Sequence, residues 1–242
     1  MCMNEENHEQ EFLNTYNKEQ YEKPSVTVDL LIFTIEDDEL KIVLIRRNEM
    51  PYKDSLALPG VFVRIDETLE EAAYRTIKEE IGSCDIYLEQ LFTWGDIERD
   101  PRMRIISISY MAIVSPHKLK LVKGERVSEV KLYSVNKLID TKEKLAFDHM
   151  KMIKYAIERI KNKVAYTKIA FEFVEEEFTL PQLQKVYEIL LNKTLYKANF
   201  RNKIKELVEE TDKMTEKQPH RPSKYYRLRE TEYEQNKGIF KR

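Results

Sequence analysis

Apolar and β-branched side chains crowd two short runs near the start of the chain, residues 26–33 and 41–46, on either side of Glu36-Asp37-Asp38. Runs of that length around a turn-forming triplet predict two strands joined as a hairpin. Asp29 interrupts the first run, so it is expected to face a polar surface or a bound molecule. Pro59-Gly60 ends the next element. From residue 68 to 80 the period becomes helical: Leu69, Ala72, Ala73 and Ile77 form one stripe. Thr68 with Glu71 three positions on is a capping-box signature, and Gly82 supplies the stop. Strands are predicted at 87–92, 105–114 and 127–133, a short helix over 134–138, and a longer helix from 149 to about 160. Strands interrupted by helices describe an α/β or α+β domain over residues 24–150, preceded by a polar arm, 1–23, that is flexible or a short helix.

The rhythm changes after a connecting helix and linker at 151–170. Thr179 is a cap candidate, Pro181 fits a first helical turn, and Leu183, Val186, Tyr187, Leu190 and Leu191 follow at helical spacing. A second helix is predicted over 197–209, burying Phe200, Ile204, Leu207 and Val208. A polar segment, 212–224, then leads to a strand at 225–228. Helix, turn, helix, polar loop, strand is the order of a winged helix-turn-helix, here placed at 171–242.

Charge sharpens the division. Residues 1–150 carry 20 Lys and Arg against 29 Asp and Glu, a net of −9, whereas residues 151–242 carry 21 against 14, a net of +7. The whole-chain value of −2 conceals a basic module suited to a polyanion. No run approaches the 18 apolar residues of a membrane span and no signal-peptide core precedes the first strand, so a cytoplasmic protein is expected. Cys2 and Cys84 form no metal-spacing cluster and read as free thiols.

Candidate chemistry concentrates around the first helix. Glu67 precedes it, Arg75 and Glu79 share a face at i,i+4, and Glu80 follows. Paired glutamates on a helix are ordinarily a solvated face, but such a cluster can also hold Mg2+ or Mn2+ through hard oxygen ligands. Glu67, Arg75, Ile77, Glu79, Glu80 and Gly82 together resemble the Nudix box, with Leu58-Pro59-Gly60 in agreement. Two positions depart from it: Val61 stands for the first glycine, and Thr76 for the glutamate after the arginine. The resemblance makes that glutamate a metal ligand in hydrolysing members, and a threonine hydroxyl brings neither its charge nor its strength. The catalytic set that survives is Glu67, Glu79 and Glu80, with Glu79 and Glu80 as candidate metal ligands. The expected activity is absent or residual.

Residues 87–102 resemble the corresponding stretch of Nudix-related regulators and of ADP-ribose-type Nudix enzymes. Trp94, the only tryptophan, either stacks on a base or belongs to the core. Arg99 and Arg102 either grip phosphate bidentately or, for Arg99, pair with Asp96 or Asp100. With Arg47, Phe62 and Arg75 they complete a candidate ligand pocket.

In the basic module, residues 195–229 carry ten cations against five carboxylates. Lys197, Asn199, Arg201, Asn202 and Lys203 crowd the start of the second helix, the part that enters a major groove, while Lys213, Arg221 and Lys224 suit a wing lying on the backbone. A solvated protein-interaction domain is the competing reading. Phe178-Thr179-Leu180-Pro181-Gln182-Leu183, Asn199-Phe200-Arg201 with Lys203, and Arg221-Pro222 with Tyr225-Tyr226 resemble the winged-helix half of the Nudix-related (NrtR-like) transcription factors of NAD metabolism. The resemblance implies a Nudix-like α/β (α+β) sandwich followed by a winged helix, a homodimer on double-stranded operator DNA, repression relieved by ADP-ribose, and no cofactor required for DNA binding. An arabinose-responsive regulator and a Mg2+-dependent ADP-ribose pyrophosphatase are the alternatives.

Overall fold

The computed structural model describes residues 2–81, 86–122, 127–141, 144–215 and 222–229. The helix stop at Gly82, the thiol of Cys84 and the wing cation Arg221 lie outside them. The polar arm contains a helix, α1 (Cys2–Thr15). Strands β1 (Ser25–Glu36) and β2 (Glu39–Arg47) form the expected hairpin. Its two turn residues, Asp37 and Asp38, have φ of 52° and 59°, the left-handed pair that a two-residue turn needs to match strand twist.

β3 (Leu56–Ala57), β4 (Gly60–Phe62), helix α2 (Leu69–Ile81), β5 (Tyr87–Trp94), β6 (Ile105–Ile113), β7 (Val127–Ser134), α3 (Val135–Asp140) and α4 (His149–Val164) complete the first unit. The sheet runs β3-β2-β1-β6-β5, with β4 on β1 and β7 on β2. β1 lies parallel to β6 from Ser25↔Ile105 to Phe33↔Ile113; the other pairings in this sheet are antiparallel. Because strand side chains alternate, β1 feeds two cores. Val28, Leu30 and Ile32 pack with Ala72, Ala73 and Ile77 of α2. Leu31 and Phe33 pack with Met152, Ile153, Ala156 and Ile160 of α4. The sheet is therefore a layer between two helices. Thr68 caps α2 as expected: its Oγ1 accepts from Glu71 N–H at 3.2 Å and Glu71 accepts from Thr68 N–H at 2.7 Å.

The second core does not stop at α4. It continues through Val164, Phe171 and Phe173 into Leu183, Val186, Tyr187 and Leu190 of α5 (Leu180–Leu191) and Phe200 and Ile204 of α6 (Lys197–Ile204). The segment read as a connecting helix and linker thus begins inside a packed helix. α5 opens with a complete Thr179–Gln182 capping box and closes on Asn192 at φ 50°. Glu188 accepts from Leu195 N–H at 2.9 Å and Gln184 donates to the Leu195 carbonyl at 2.9 Å, pinning the turn into α6.

The second helix is shorter than expected. It ends at Ile204, and β9 (Val208–Met214) replaces its predicted last turn. β9 pairs with β10 (Lys224–Leu228), which in turn pairs with β8 (Phe178–Thr179). Arg227 bonds Glu209 and Lys224 bonds Glu210 across the β9–β10 pair, so these two carboxylates are cross-strand partners. No helix among the described residues is long and apolar enough to cross a membrane.

The capping box yields a stability prediction. Thr179→Ala removes one acceptor and frees Gln182, and should cost about 1 kcal/mol of unfolding free energy, read as a lower urea midpoint at unchanged slope.

Candidate functional site

A cleft of about 570 Å³ opens where β1, β2, β4, α2 and the start of α4 meet. Its floor is a cluster of buried charges. Asp29, on β1, accepts from Ser107 Oγ and lies 3.6 Å from the Arg99 guanidinium. Arg99, from the loop after β5, is 4% exposed and donates twice to Asp148, at 2.8 and 3.2 Å. His149 accepts from Leu58 N–H through Nδ1 at 2.9 Å, and its Nε2 lies 3.8 Å from Asp29. Burial holds the imidazole below its ordinary pKa, so it is neutral, with Nε2 carrying the proton. Gly60 on β4 admits this floor: a Cβ there would stand 2.3 Å from Asp29 Oδ1.

One wall is aromatic and cationic. Arg102 lies 5.7 Å from the ring centres of both Phe62 and Phe147, and Arg47 lies 5.0 Å from Phe147. Asp100 holds Arg102 through Nε and Nη2, at 3.0 and 2.7 Å. Burial and the neighbouring Arg102 lower the pKa of Arg47, which donates to the Pro51 carbonyl at 2.9 Å.

The opposite wall comes from α2. Arg75 clasps Glu67 through Nε at 3.0 Å and Nη2 at 2.5 Å, and donates to the Phe62 carbonyl at 3.3 Å. Those bonds, with Arg64 N–H, hold the Glu67 carboxyl down at about 2. Glu67 is thereby a brace between loop and helix, and it is not among the residues lining the cleft. Glu79 and Glu80 do line it. Burial, with the neighbouring Glu79, pushes Glu80 up to about 7, and its Oε2 is buried without a hydrogen-bond partner. Thr76 is turned away: it is 1% exposed and its hydroxyl donates to the Ala72 carbonyl at 2.8 Å. Two adjacent carboxylates, with the third position occupied by an inward hydroxyl, do not enclose a hard divalent ion. Among the described residues no group of three His, Cys, Asp or Glu side chains is placed to hold a metal. Mg2+ or Mn2+ therefore fits this site poorly.

Arg47, Phe62, Arg75, Arg99 and Arg102 all line the cleft, but Trp94 does not. It is 5% exposed, its Nε1–H donates to Ser109 Oγ at 2.9 Å, and its ring meets Phe92 and Tyr155 edge-on. The first turn of α4 stands between the two places: His149 lines the cleft, and Lys151 lines a separate groove that contains Trp94. Arg99 has a structural partner as the competing reading held, but the carboxylate is Asp148 rather than Asp96 or Asp100. Phe147, Asp148 and His149 escaped the sequence reading. Their only local sign is their place in front of a helical stripe, and their partners are about fifty or more positions distant.

On the second module, Lys197, Asn199, Arg201, Asn202 and Lys203 are all exposed along α6, while Phe200 and Ile204 anchor its other face. The Lys203 ammonium lies 5.8 Å from the Tyr187 ring centre. In the wing, Lys213 and Lys224 are exposed and paired with Glu177 and Glu210.

A sheet between two helices with a Glu67–Arg75 brace, followed by a three-stranded winged helix, defines a Nudix-type sandwich joined to a helix-turn-helix module. The Nudix domain family matches residues 25–156, and the family described as the NrtR DNA-binding winged helix domain matches residues 170–228. The chain is 36% identical to the ADPR-responsive transcriptional repressor NtrR of Acinetobacter baylyi, over 94% of this chain and 91% of that protein. NrtR of Shewanella oneidensis, solved with a 27mer DNA, superposes with a TM-score of 0.75 at 32% identity, over 84% of this chain and 93% of that one. The Nudix domain of the same protein, solved with ADP-ribose, gives a TM-score of 0.57 at 33% identity, over 62% and 97%. The ADP-ribose pyrophosphatase of Methanocaldococcus jannaschii is 40% identical over 55% of this chain and 73% of its own length. The chain belongs to the NrtR family.

The Glu80 environment sets a pH dependence. A carboxyl raised from 4.5 to about 7 favours the fold below pH 4.5, and that contribution is lost as pH rises through 7. Glu80→Gln, which does not titrate, should gain only about 1–2 kcal/mol on the metal-free parent at pH 8, because solvent screens part of the cost of the charged carboxylate, and almost nothing at pH 4.5. Urea unfolding at the two pH values checks it; an equal difference at both would contradict the desolvated carboxyl.

Proposed function

We propose that the chain is an ADP-ribose-responsive, DNA-binding transcriptional repressor of NAD-metabolism genes. The observation that carries this reading is one chain with both halves of the device: a cleft walled by Arg47, Arg102, Phe62 and Phe147, and an exposed basic and amide face on α6. Guanidinium groups suit the fork geometry of a diphosphate, and Phe62 and Phe147 suit the flat face of a base. A neutral sugar such as arabinose would leave this charged wall without a matching anion, so ADP-ribose is preferred to it. α6 would enter the major groove, with Arg201 and Asn202 set for base edges or phosphates and Lys213 and Lys224 for the backbone. The described part of the wing is consistent with that placement; Arg221 is assigned to the wing on sequence grounds alone.

A homodimer on a palindromic operator, in the cytoplasm where the DNA is, completes the proposal. The effector would act through α4, whose first turn borders the cleft floor and whose buried face shares a core with α5 and α6. A ligand shifts that arrangement only as far as it binds the two positions of α4 with different affinity.

The relative from Methanocaldococcus, with Glu79 and Glu80 retained, supports a second reading as a Mg2+-dependent ADP-ribose pyrophosphatase. Thr76 weighs against it, because it supplies no charge where the box has a carboxylate.

Gel-shift measurements on the protein's own promoter and on NAD-gene promoters test the regulator. Binding should be released by ADP-ribose and not by arabinose. Arg201→Ala with Lys203→Ala should weaken DNA binding by about 10- to 100-fold, with a shallower salt dependence and unchanged ADP-ribose affinity. Absence of any specific complex would refute DNA recognition. Turnover of ADP-ribose with Mg2+ that Glu80→Gln abolishes would instead establish the hydrolase.

A further inference from the structure

The groove beside α4 is built for contact and has no role in the reading above. It measures about 760 Å³ and is lined by Phe92, Trp94, Ile139, Tyr155 and Ile157, with Lys151 and Lys154 at its rim. Three of its rings form one cluster, with centres 4.9 to 5.8 Å apart. Phe92, on edge strand β5, is 44% exposed. The N-terminal arm presents the reverse situation. Every residue from His8 to Pro24 is exposed, including Phe12 at 61% and Leu13 at 55%. Phe12 on α1 and Tyr16, the residue just beyond its end, have ring centres 5.6 Å apart.

Charge matches the two surfaces. The arm, residues 1–23, carries six glutamates against two lysines. Helix α4 carries five cations against the single carboxylate Glu158; Lys154 and Lys161 are exposed, and Lys151 is paired with Asp96 at 2.8 Å. Position also matches them. Ser25, where the arm joins β1, donates to the Arg104 carbonyl at 3.1 Å. The Arg104 guanidinium donates to the carbonyls of Gly95 and Asp96, two groove residues, at 2.8 and 3.0 Å. One side chain thus spans from the root of the arm to the mouth of the groove. Residues 16–24 can extend roughly 30 Å at about 3.3 Å per residue, more than the reach required.

We propose that the groove is the docking site of the chain's own N-terminal arm. The aromatic face of the arm covers Phe92 and Tyr155, and the glutamates of the arm lie along the lysines of α4. Docking buries both uncovered apolar faces at once and places a charge-matched strut on the helix that joins the cleft to the winged helix.

Paired cysteines test this in the full-length chain. With Cys2 and Cys84 changed to Ser, Thr15→Cys and Glu158→Cys place thiols on the arm and at the groove. Under oxidised glutathione, an internal disulfide should form at least about tenfold faster than in a control pairing Thr15→Cys with Lys197→Cys on α6. Phe12→Ser with Tyr16→Ser should reduce that rate to the control value, and both substitutions fall on exposed side chains outside the core. Monomer-sized product at the higher rate supports the proposal. Product the size of a covalent dimer assigns the groove to a second copy and overturns it, as does a rate no faster than the control. None of these readouts involves DNA or ADP-ribose, so failure here leaves the proposed function untouched.

Discussion

The architecture depends on one buried guanidinium. Arg99 is removed from solvent between Asp29 and Asp148, and an uncompensated charge at that depth costs several kcal/mol. Its two partners belong to β1 at the centre of the sheet and to the residue that opens α4. Satisfying Arg99 therefore fixes the start of α4 against the sheet. His149, the first residue of α4, adds a second tie by accepting from Leu58 N–H. The cleft floor and the docking of α4 are thus a single set of contacts.

From there the consequences are mechanical. The buried face of α4, from Met152 to Val164, belongs to the same apolar core as Leu183, Tyr187 and Phe200 of the winged helix. Close-packed side chains transmit a displacement rather than absorb it. The Tyr187 and Phe200 rings, 5.4 Å apart, hold α5 to the helix whose other face bears Arg201 and Asn202. From Asp148 the packed layers run through α4 and α5 to α6 without a break.

Local signals were the ones legible in the sequence. The Asp37-Asp38 turn, the Thr68–Glu71 capping box, the Thr179 cap and the apolar stripes of α2 and α5 each rest on near neighbours in sequence, and each stands where expected. The brace between Glu67 and Arg75 was visible only as spacing; its geometry makes Glu67 a structural carboxylate instead of a member of the cleft lining. Non-local pairings were not legible. Residues 208–214 read as a helix end and loop because their partners on β10 lie beyond a long connection. Trp94 read more readily as a core residue than as a stacking platform, and only the position of α4 decides between the cleft and the groove.

Net charge illustrates the same limit more generally. The first 150 residues are acidic, yet the cleft they build presents Arg47, Arg75 and Arg102 around two rings. Many of the acids are committed elsewhere: Glu67 holds Arg75, Asp100 holds Arg102 and Asp148 holds Arg99. Those pairings spend carboxylates on orienting guanidinium groups rather than on repelling an anion, so a domain of net −9 can still shape a pocket for phosphate. In the basic module the arrangement is reversed. Among the described residues the carboxylates pair with wing cations, Glu177 with Lys213 and Glu210 with Lys224, and no ion pair engages Lys197 or Arg201 on α6. Which charges are already paired, rather than how many there are, distinguishes the cleft from the exposed face of α6.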